Sequence, residues 1–207
     1  MTLKQMIARV MRALPMSAPG QLGETDIIDL LNEAQRELAV RSNKYCIQET
    51  ALEADYDTVA LPDDLLKLVE VYWGDGGTKR ELYPEKERYP LTDTVEEGEG
   101  ESEYSVGYPS KYYVKDRRII IRPTPTEDNT VYVVYINRPT DMAEDDDEPE
   151  LDGSEEYLIA CALQRIHLEA GSEMARVWEA EKLKHFVIWR DSSDQNYETA
   201  FKVDGSW

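Results

Sequence analysis

The spacing of the apolar residues changes twice along this 207-residue chain, and that change limits the folds it can adopt. Near both ends, apolar side chains recur every three or four positions, which is typical of one face of an α-helix. Between about residues 45 and 137, β-branched and aromatic residues alternate or cluster as they do in strands. The order therefore predicts two helices, a β-rich region and two further helices.

The fold class that this order predicts is α+β. The apolar stripes of the two outer helix pairs need partners, so we predict a four-helix bundle built from the N- and C-terminal pairs, with an inserted antiparallel β-rich domain. The predicted boundaries are residues 1–44 for the first helix pair, 45–140 for the inserted domain, 141–192 for the second helix pair and 193–207 for a flexible C-terminal tail.

Particular residues define the predicted helices. Thr2 with Gln5 predicts a capping box for the first helix, and Asp152 with Glu155 predicts another for the third. The third helix is apolar nearly all round, so it is predicted to be central. The apolar stripe of the fourth helix is predicted to contain Met174, Val177, Trp178, Leu183, Phe186 and Val187. The apolar residues of the predicted helices include Leu3, Ile7, Val10, Leu31, Leu38, Leu163 and Trp178.

Turn residues mark two hairpins in the middle of the chain. Gly74-Asp75-Gly76-Gly77 separates one pair of predicted strands, and Asp116-Arg117 separates another. The predicted strands are Lys67–Trp73, Thr78–Tyr83, Lys111–Val114, Arg118–Arg122 and Thr130–Ile136.

The charge balance restricts the function. The formal net charge is −20, which argues against a sequence-reading nucleic-acid binder, because phosphate contacts need Lys and Arg. Two acidic segments, residues 93–103 and 144–150, are predicted to be solvated loops. No apolar run is long enough to span a membrane.

No residue pattern predicts a catalytic or metal site. His167 and His185 belong to no metal-binding motif, and Cys46 and Cys161 lie far apart in the sequence. No phosphate-binding glycine loop or nucleophile motif occurs. We therefore predict no enzymatic activity and no cofactor. A hydrolase that uses carboxylates hidden among the many acidic residues stays as an alternative.

Several short segments, taken in order, resemble those of a known protein family. They are Asp29-Leu30-Leu31-Asn32-Glu33-Ala34-Gln35, Leu61-Pro62-Asp63-Asp64-Leu65, Tyr108-Pro109-Ser110-Lys111-Tyr112-Tyr113 and Ile119-Ile120-Ile121-Arg122-Pro123-Thr124-Pro125. A strand with Tyr135, an Arg138-Pro139 exit, an acidic linker and two helices follow. Over residues 1–192 this layout resembles the head-to-tail adaptors of tailed bacteriophages, also called head-completion, connector or tail tubular A-type proteins. The chain departs from it at residues 150–153, where the family has a Leu-Pro pair.

The resemblance implies a structural virion protein in the neck, between capsid and tail, that is assembled in the host cytoplasm. It implies a homo-oligomeric ring, usually a dodecamer, that binds the portal protein above and a tail or nozzle protein below. DNA would pass through this ring without sequence-specific binding. Another ring-forming tail or head-completion component is the closest alternative function.

The resemblance also implies roles for three groups of residues. The residues predicted to pack the subunits are Leu3, Ile7, Val10, Leu31, Leu38, Leu163 and Trp178. The C-terminal tail would reach the portal, and its predicted anchors are Tyr197, Phe201, Val203 and Trp207. The residues predicted to line an acidic channel or loop are Glu97, Glu99, Glu101, Asp145, Asp146 and Asp147.

Overall fold

The computed structural model describes residues 1–14, 22–42, 44–75, 78–85 and 107–197. The chain divides into two compact units. We call residues 1–44 and 138–207 the helical unit, and residues 45–137 the sheet unit.

The helical unit contains four helices, arranged around the third. They are α1 (Leu3–Ala13), α2 (Glu24–Arg41), α3 (Glu155–Glu169) and α4 (Met174–Tyr197). Helix α3 packs against all three of the others. Its residues from Tyr157 to Leu163 are all buried, which matches its all-round apolar sequence and the central position predicted for it.

The predicted four-helix bundle with an inserted domain is wrong. Helix α4 packs mainly against α3, and no helix or strand of the described residues covers the opposite face of α4. Val177, Leu183 and Val187, predicted to lie in a buried stripe, have 44–59% of their surface exposed. The side of α4 that faces α3 instead carries Ala175 and Trp189, which are buried. Because α3 is apolar on every side, it takes a partner on each, and the four helices do not close around one shared core.

The start of α3 also differs from the prediction. The N-cap is Ser154 rather than Asp152, and the helix begins at Glu155. The backbone carbonyl of Asp152 accepts a hydrogen bond of 3.1 Å from the indole Nε1 of Trp189. Asp152 therefore helps to hold α4 against the residues that precede α3.

The sheet unit is one seven-stranded sheet. Its strands are β1 (Cys46–Leu52), β2 (Thr58–Ala60), β3 (Leu65–Asp75), β4 (Thr78–Pro84), β5 (Lys111–Lys115), β6 (Arg118–Arg122) and β7 (Asn129–Asn137). They lie in the order β1-β7-β3-β4-β5-β6-β2, and the two outer strands, β1 and β2, contact each other. The sheet is therefore a nearly closed barrel.

The sheet is not purely antiparallel, which also corrects the predicted fold class. Strands β4 and β5 pair in parallel, with Tyr83 opposite Lys111 and Pro84 opposite Tyr112. A parallel pair needs a long connection, and the residues between β4 and β5 supply it. The other pairs are antiparallel.

Both predicted hairpins are present. Asp116 and Arg117 have φ angles of 49° and 59°, as a two-residue type I′ turn requires, and Lys115 pairs with Arg118. In the β3–β4 hairpin, Asp75 pairs with Thr78. A Cβ on Gly74 would lie 2.0 Å from the carbonyl oxygen of Thr78, so only glycine fits there.

Alternating residues of the strands point into one core. The buried side chains that form it are Leu52, Val59, Val71, Trp73, Leu82, Tyr112, Ile119, Ile121, Val131, Val133 and Tyr135. The spacing of two within β3, β6 and β7 is the strand pattern on which the prediction of a β-rich region rested.

Candidate assembly site

The acidic segment, residues 144–150, is a folded turn in the helical unit. The Asp147 carboxylate accepts hydrogen bonds from the backbone N–H groups of Ala143, at 2.7 Å, and Glu144, at 2.8 Å. These two bonds stabilise the charged form and lower the pKa of Asp147. The side chains of Glu144, Asp145 and Asp146 are exposed on this turn. The segment therefore presents carboxylates from a fixed backbone. The prediction of a solvated loop gave their exposure but not the hydrogen bonds that fix this backbone.

The acidic segment also caps helix α1. The first N–H groups of a helix have no partner inside it. Here the N–H of Leu3 donates to the carbonyl of Asp147 at 2.7 Å, and that of Lys4 donates to the carbonyl of Asp145 at 3.2 Å. The Lys4 ammonium lies 2.5 Å from the Asp145 carboxylate. Backbone and side-chain bonds together attach the segment to α1.

Two amides on the buried face of α2 hold the linker that contains this segment. Asn32 is 5% exposed, and its amide bonds both the N–H and the carbonyl of Met142, each at 2.9 Å. Gln35 donates to the carbonyl of Thr140 at 3.0 Å and accepts from the N–H of Glu150 at 2.8 Å. We call these four hydrogen bonds the amide clamp. Buried backbone groups need such partners, so the clamp fixes where the linker lies.

Glu37 of α2 joins three helices through cations. Its carboxylate lies 3.0 Å from the ammonium of Lys182, 2.9 Å from the guanidinium of Arg41 and 3.3 Å from that of Arg165. Partial burial raises the pKa of Glu37, but the hydrogen bond from Lys182 and the three cations outweigh it and lower the pKa below its ordinary value of 4.5. The charged form of Glu37 therefore stabilises the fold.

The pH dependence of Glu37→Gln follows from that direction. A lowered folded-state pKa contributes stability that is complete above the unfolded-state pKa and is lost as the pH falls through the folded-state pKa. At pH 7 we expect Glu37→Gln to lower the free energy of unfolding by about 1–2 kcal/mol, since the group is partly exposed to solvent. Urea unfolding of both proteins from pH 7 down to about pH 3 should show this difference shrinking below pH 4.5. A difference that stays constant over this range would contradict the assigned role of the ion pairs.

A groove lies among α1, α3 and α4 of the helical unit, with a volume of about 360 Å³. The residues that line it are Arg9, Arg12, Ala13, Glu156, Ile159, Ala160, Leu163, Trp178 and His185. Its floor is apolar, and Arg9 and Arg12 stand at its rim. The Arg9 guanidinium forms two hydrogen bonds with the Glu156 carboxylate, the longer of them 2.9 Å.

Two hydrogen-bond donors on residues that line the groove lack a partner among the described residues. Within the described part of the chain, Arg12 forms no salt bridge. The indole Nε1 of Trp178 is buried and makes no hydrogen bond. Arg12 is exposed, so its guanidinium suits the groove to a group that brings acceptors, whereas the Trp178 nitrogen has almost no accessible surface.

A comparison with protein families identifies the family of the chain. The family model described as "SU10 adaptor protein" matches residues 1–197, nearly the whole chain. The chain belongs to the SU10 adaptor protein family. This is a family of phage head-to-tail adaptors, so the resemblance found in the sequence is confirmed, and the protein is a phage structural adaptor. No curated protein matches the sequence significantly.

The residues predicted to pack the subunits of this adaptor lie inside its helical unit. Leu3, Ile7, Val10, Leu31, Leu38 and Leu163 are buried. Trp178 is half-buried and lines the groove. The first six therefore shape the helical unit from within, although Leu163 also borders the groove, and Trp178 is the one of the seven that is not fully buried.

The other predicted site residues of the adaptor fall in two places. Asp145 and Asp146 are exposed on the acidic segment, and Asp147 holds its turn together. The remaining predicted residues lie outside the residues or side chains that the structure describes: Glu97, Glu99, Glu101, Tyr197, Phe201, Val203 and Trp207.

The membership in a structural family agrees with the prediction that the chain is not an enzyme. Among the described residues, no group of His, Cys, Asp or Glu is arranged to hold a metal ion. None of the helices in the described ranges combines the length and apolar character that crossing a bilayer requires.

Proposed function

We propose that this adaptor forms a homo-oligomeric ring in the virion neck, below the portal, and continues the DNA channel toward the tail or nozzle protein. The family match over residues 1–197 is the observation that carries the proposal. The ring is assembled in the host cytoplasm as part of the virion, with a dodecamer as the expected form.

The charge of the chain supports passage of DNA rather than attachment to it. Tight binding to DNA uses many Lys and Arg contacts with phosphates, whereas this subunit carries a net charge of −20. Glu97, Glu99 and Glu101 are the residues we propose for an acidic channel surface, and Asp145 and Asp146 are proposed for an acidic loop surface. A repelling wall lets DNA move without being held.

Portal attachment is proposed to use the C-terminal tail. Tyr197, Phe201, Val203 and Trp207 are apolar residues spaced along an otherwise polar sequence. Aromatic side chains dominate the energy of many interfaces because they bury much area at little entropic cost. The buried leucines and valines named above would keep the helical unit in the shape that meets the neighbouring copies.

Mass photometry of the adaptor mixed with the portal protein from the same gene neighbourhood tests this function. We expect a complex that exceeds the portal mass by a whole multiple of 23.8 kDa, the mass of one subunit. Phe201→Ala/Trp207→Ala should weaken the complex at least about tenfold, because anchor residues typically contribute 2 kcal/mol or more. The matched control Lys202→Ala should bind as the unchanged protein does.

The outcomes distinguish the proposed adaptor function from its closest alternative, another ring-forming tail component. A persistent free subunit that ignores portal would overturn the proposed function and favour another ring-forming tail component. A portal complex that the double substitution leaves intact would retain the adaptor function and remove only the assignment of the tail.

A further inference from the structure

The groove among α1, α3 and α4 is a cationic surface on a chain whose net charge is −20. Arg12 extends from the last turn of α1 beside an apolar floor formed by Ile159, Ala160 and Leu163. The half-buried Trp178 side chain also lines the groove. A guanidinium donates hydrogen bonds and accepts none. The chemistry of the groove therefore fits a segment that brings carboxylate and carbonyl oxygens.

The acidic segment has the complementary chemistry. The Glu144 and Asp146 carboxylates are exposed and form no salt bridge within the described ranges. The backbone beneath them is fixed by the Asp147 turn, by α1 and by the amide clamp. A charge held on a rigid backbone loses little entropy on binding, so it contributes more to an interface than the same charge on a loose loop.

Groove and segment lie at opposite ends of α1, so one copy cannot bring them together. Lys4 contacts the acidic segment at the first turn, and Arg12 faces the groove at the last turn. At 1.5 Å per residue, these two positions are separated by about 12 Å along the helix axis. A contact between different surfaces of two identical chains is heterologous, and repeating such a contact generates a ring when the rotation closes.

We propose that the groove of one subunit binds the acidic segment of a second copy, with Arg12 meeting the carboxylates of Glu144 and Asp146. The proposal rests on the ring-forming function above and names the surfaces that join neighbours. The acidic segment thus serves two purposes, since it caps α1 in its own chain and presents carboxylates to the next.

Charge exchange tests this contact. The three proteins to compare are Arg12→Glu, Glu144→Lys/Asp146→Lys and the chain that carries all three changes. Asp145 and Asp147 stay unchanged, because Asp145 pairs with Lys4 and Asp147 holds the turn. The control is Arg176→Glu, the same charge change at an exposed residue of α4 that does not line the groove.

Two readouts keep this contact separate from portal binding. Sedimentation velocity of the adaptor alone at high concentration measures the affinity between copies, and mass photometry with portal counts the subunits per complex. We expect Arg12→Glu and Glu144→Lys/Asp146→Lys each to weaken self-association about tenfold or more, and the combined chain to recover most of it. Arg176→Glu should behave as the unchanged protein does, and thermal melting confirms that each variant is folded.

Each other result overturns the proposal. If neither Arg12→Glu nor Glu144→Lys/Asp146→Lys changes self-association, the groove is not a contact between copies. If Arg12→Glu weakens only the portal complex, the occupant is a portal segment. If both variants weaken self-association but the combined chain does not recover it, the two surfaces do not meet each other. Failure of the unchanged protein to bind portal would instead count against the proposed function.

Discussion

Replacing Asn32 with leucine should lower the free energy of unfolding by about 2–4 kcal/mol, because it removes two buried hydrogen bonds at once. The Asn32 amide is the partner of both the N–H and the carbonyl of Met142, at 2.9 Å each, and Met142 is buried. Leucine has the same number and branching of side-chain heavy atoms as asparagine, so no cavity forms. The cost therefore comes from backbone groups left without a partner.

Urea unfolding followed by circular dichroism measures this loss for Asn32→Leu. The control is Asp29→Leu, which places the same side chain on the exposed face of α2 and should change stability by less than about 0.5 kcal/mol. Limited proteolysis gives a second readout, because releasing Met142 should open the linker of residues 138–151 to cleavage. A variant as stable and as resistant as the unchanged protein would show that the amide clamp does not hold the linker.

Leu163→Ala should lower the free energy of unfolding by about 2–5 kcal/mol. Leu163 is fully buried on α3, the helix that all the others contact, and truncating it removes packing and leaves a cavity. Leu168→Ala is a matched control on the same helix, since Leu168 is 62% exposed and should lose less than about 0.5 kcal/mol.

Thermal and urea unfolding of Leu163→Ala and Leu168→Ala give the comparison directly. Similar losses for the two would mean that α3 is not the centre of the helical unit. Because Leu163 also lines the groove, Leu163→Ala is expected to weaken contact between copies as well, whereas Leu168→Ala leaves the groove unchanged.

The sequence correctly predicted the helices and hairpins whose residue pattern fits only one arrangement. Helix α1 has one apolar face, and Leu3, Ile7 and Val10 on it are buried as predicted. The Asp116-Arg117 turn fits a two-residue hairpin, and the structure contains it. The third helix is apolar on every side, so its central position followed from its residues alone.

The errors arose where two arrangements satisfy the same pattern. Helix α4 has apolar residues on both sides, with Ala175 and Trp189 on one and Val177 and Val187 on the other. Periodicity cannot choose between two such faces, since the fit of small and aromatic residues against α3 decides it. The parallel pairing of β4 with β5 depends on a long connection, which residue spacing does not describe.

The site was less predictable than the fold. Asn32 and Gln35 contributed to the sequence predictions only as part of the family resemblance. Polar residues on the apolar face of a helix are nevertheless a signal, because buried polar side chains form hydrogen bonds with other buried groups. Glu37 gave only a partial signal, since Arg41 lies four residues on along the same helix, whereas Arg165 and Lys182 are distant in the sequence. The groove depends on the packing of three helices that are distant in sequence.

The split of the helical unit between residues 1–44 and 138–207 has a consequence for synthesis. Helices α1 and α2 leave the ribosome well before α3, against which their buried faces pack. At about 5–20 residues per second, the delay between the end of α2 and the end of α3 is on the order of ten seconds. During that time the sheet unit can fold first, while Leu31 and Leu38 of α2 remain exposed because α3 has not yet been synthesised. The adaptor is thus expected to need protection from aggregation while it is being translated, before any other copy is near.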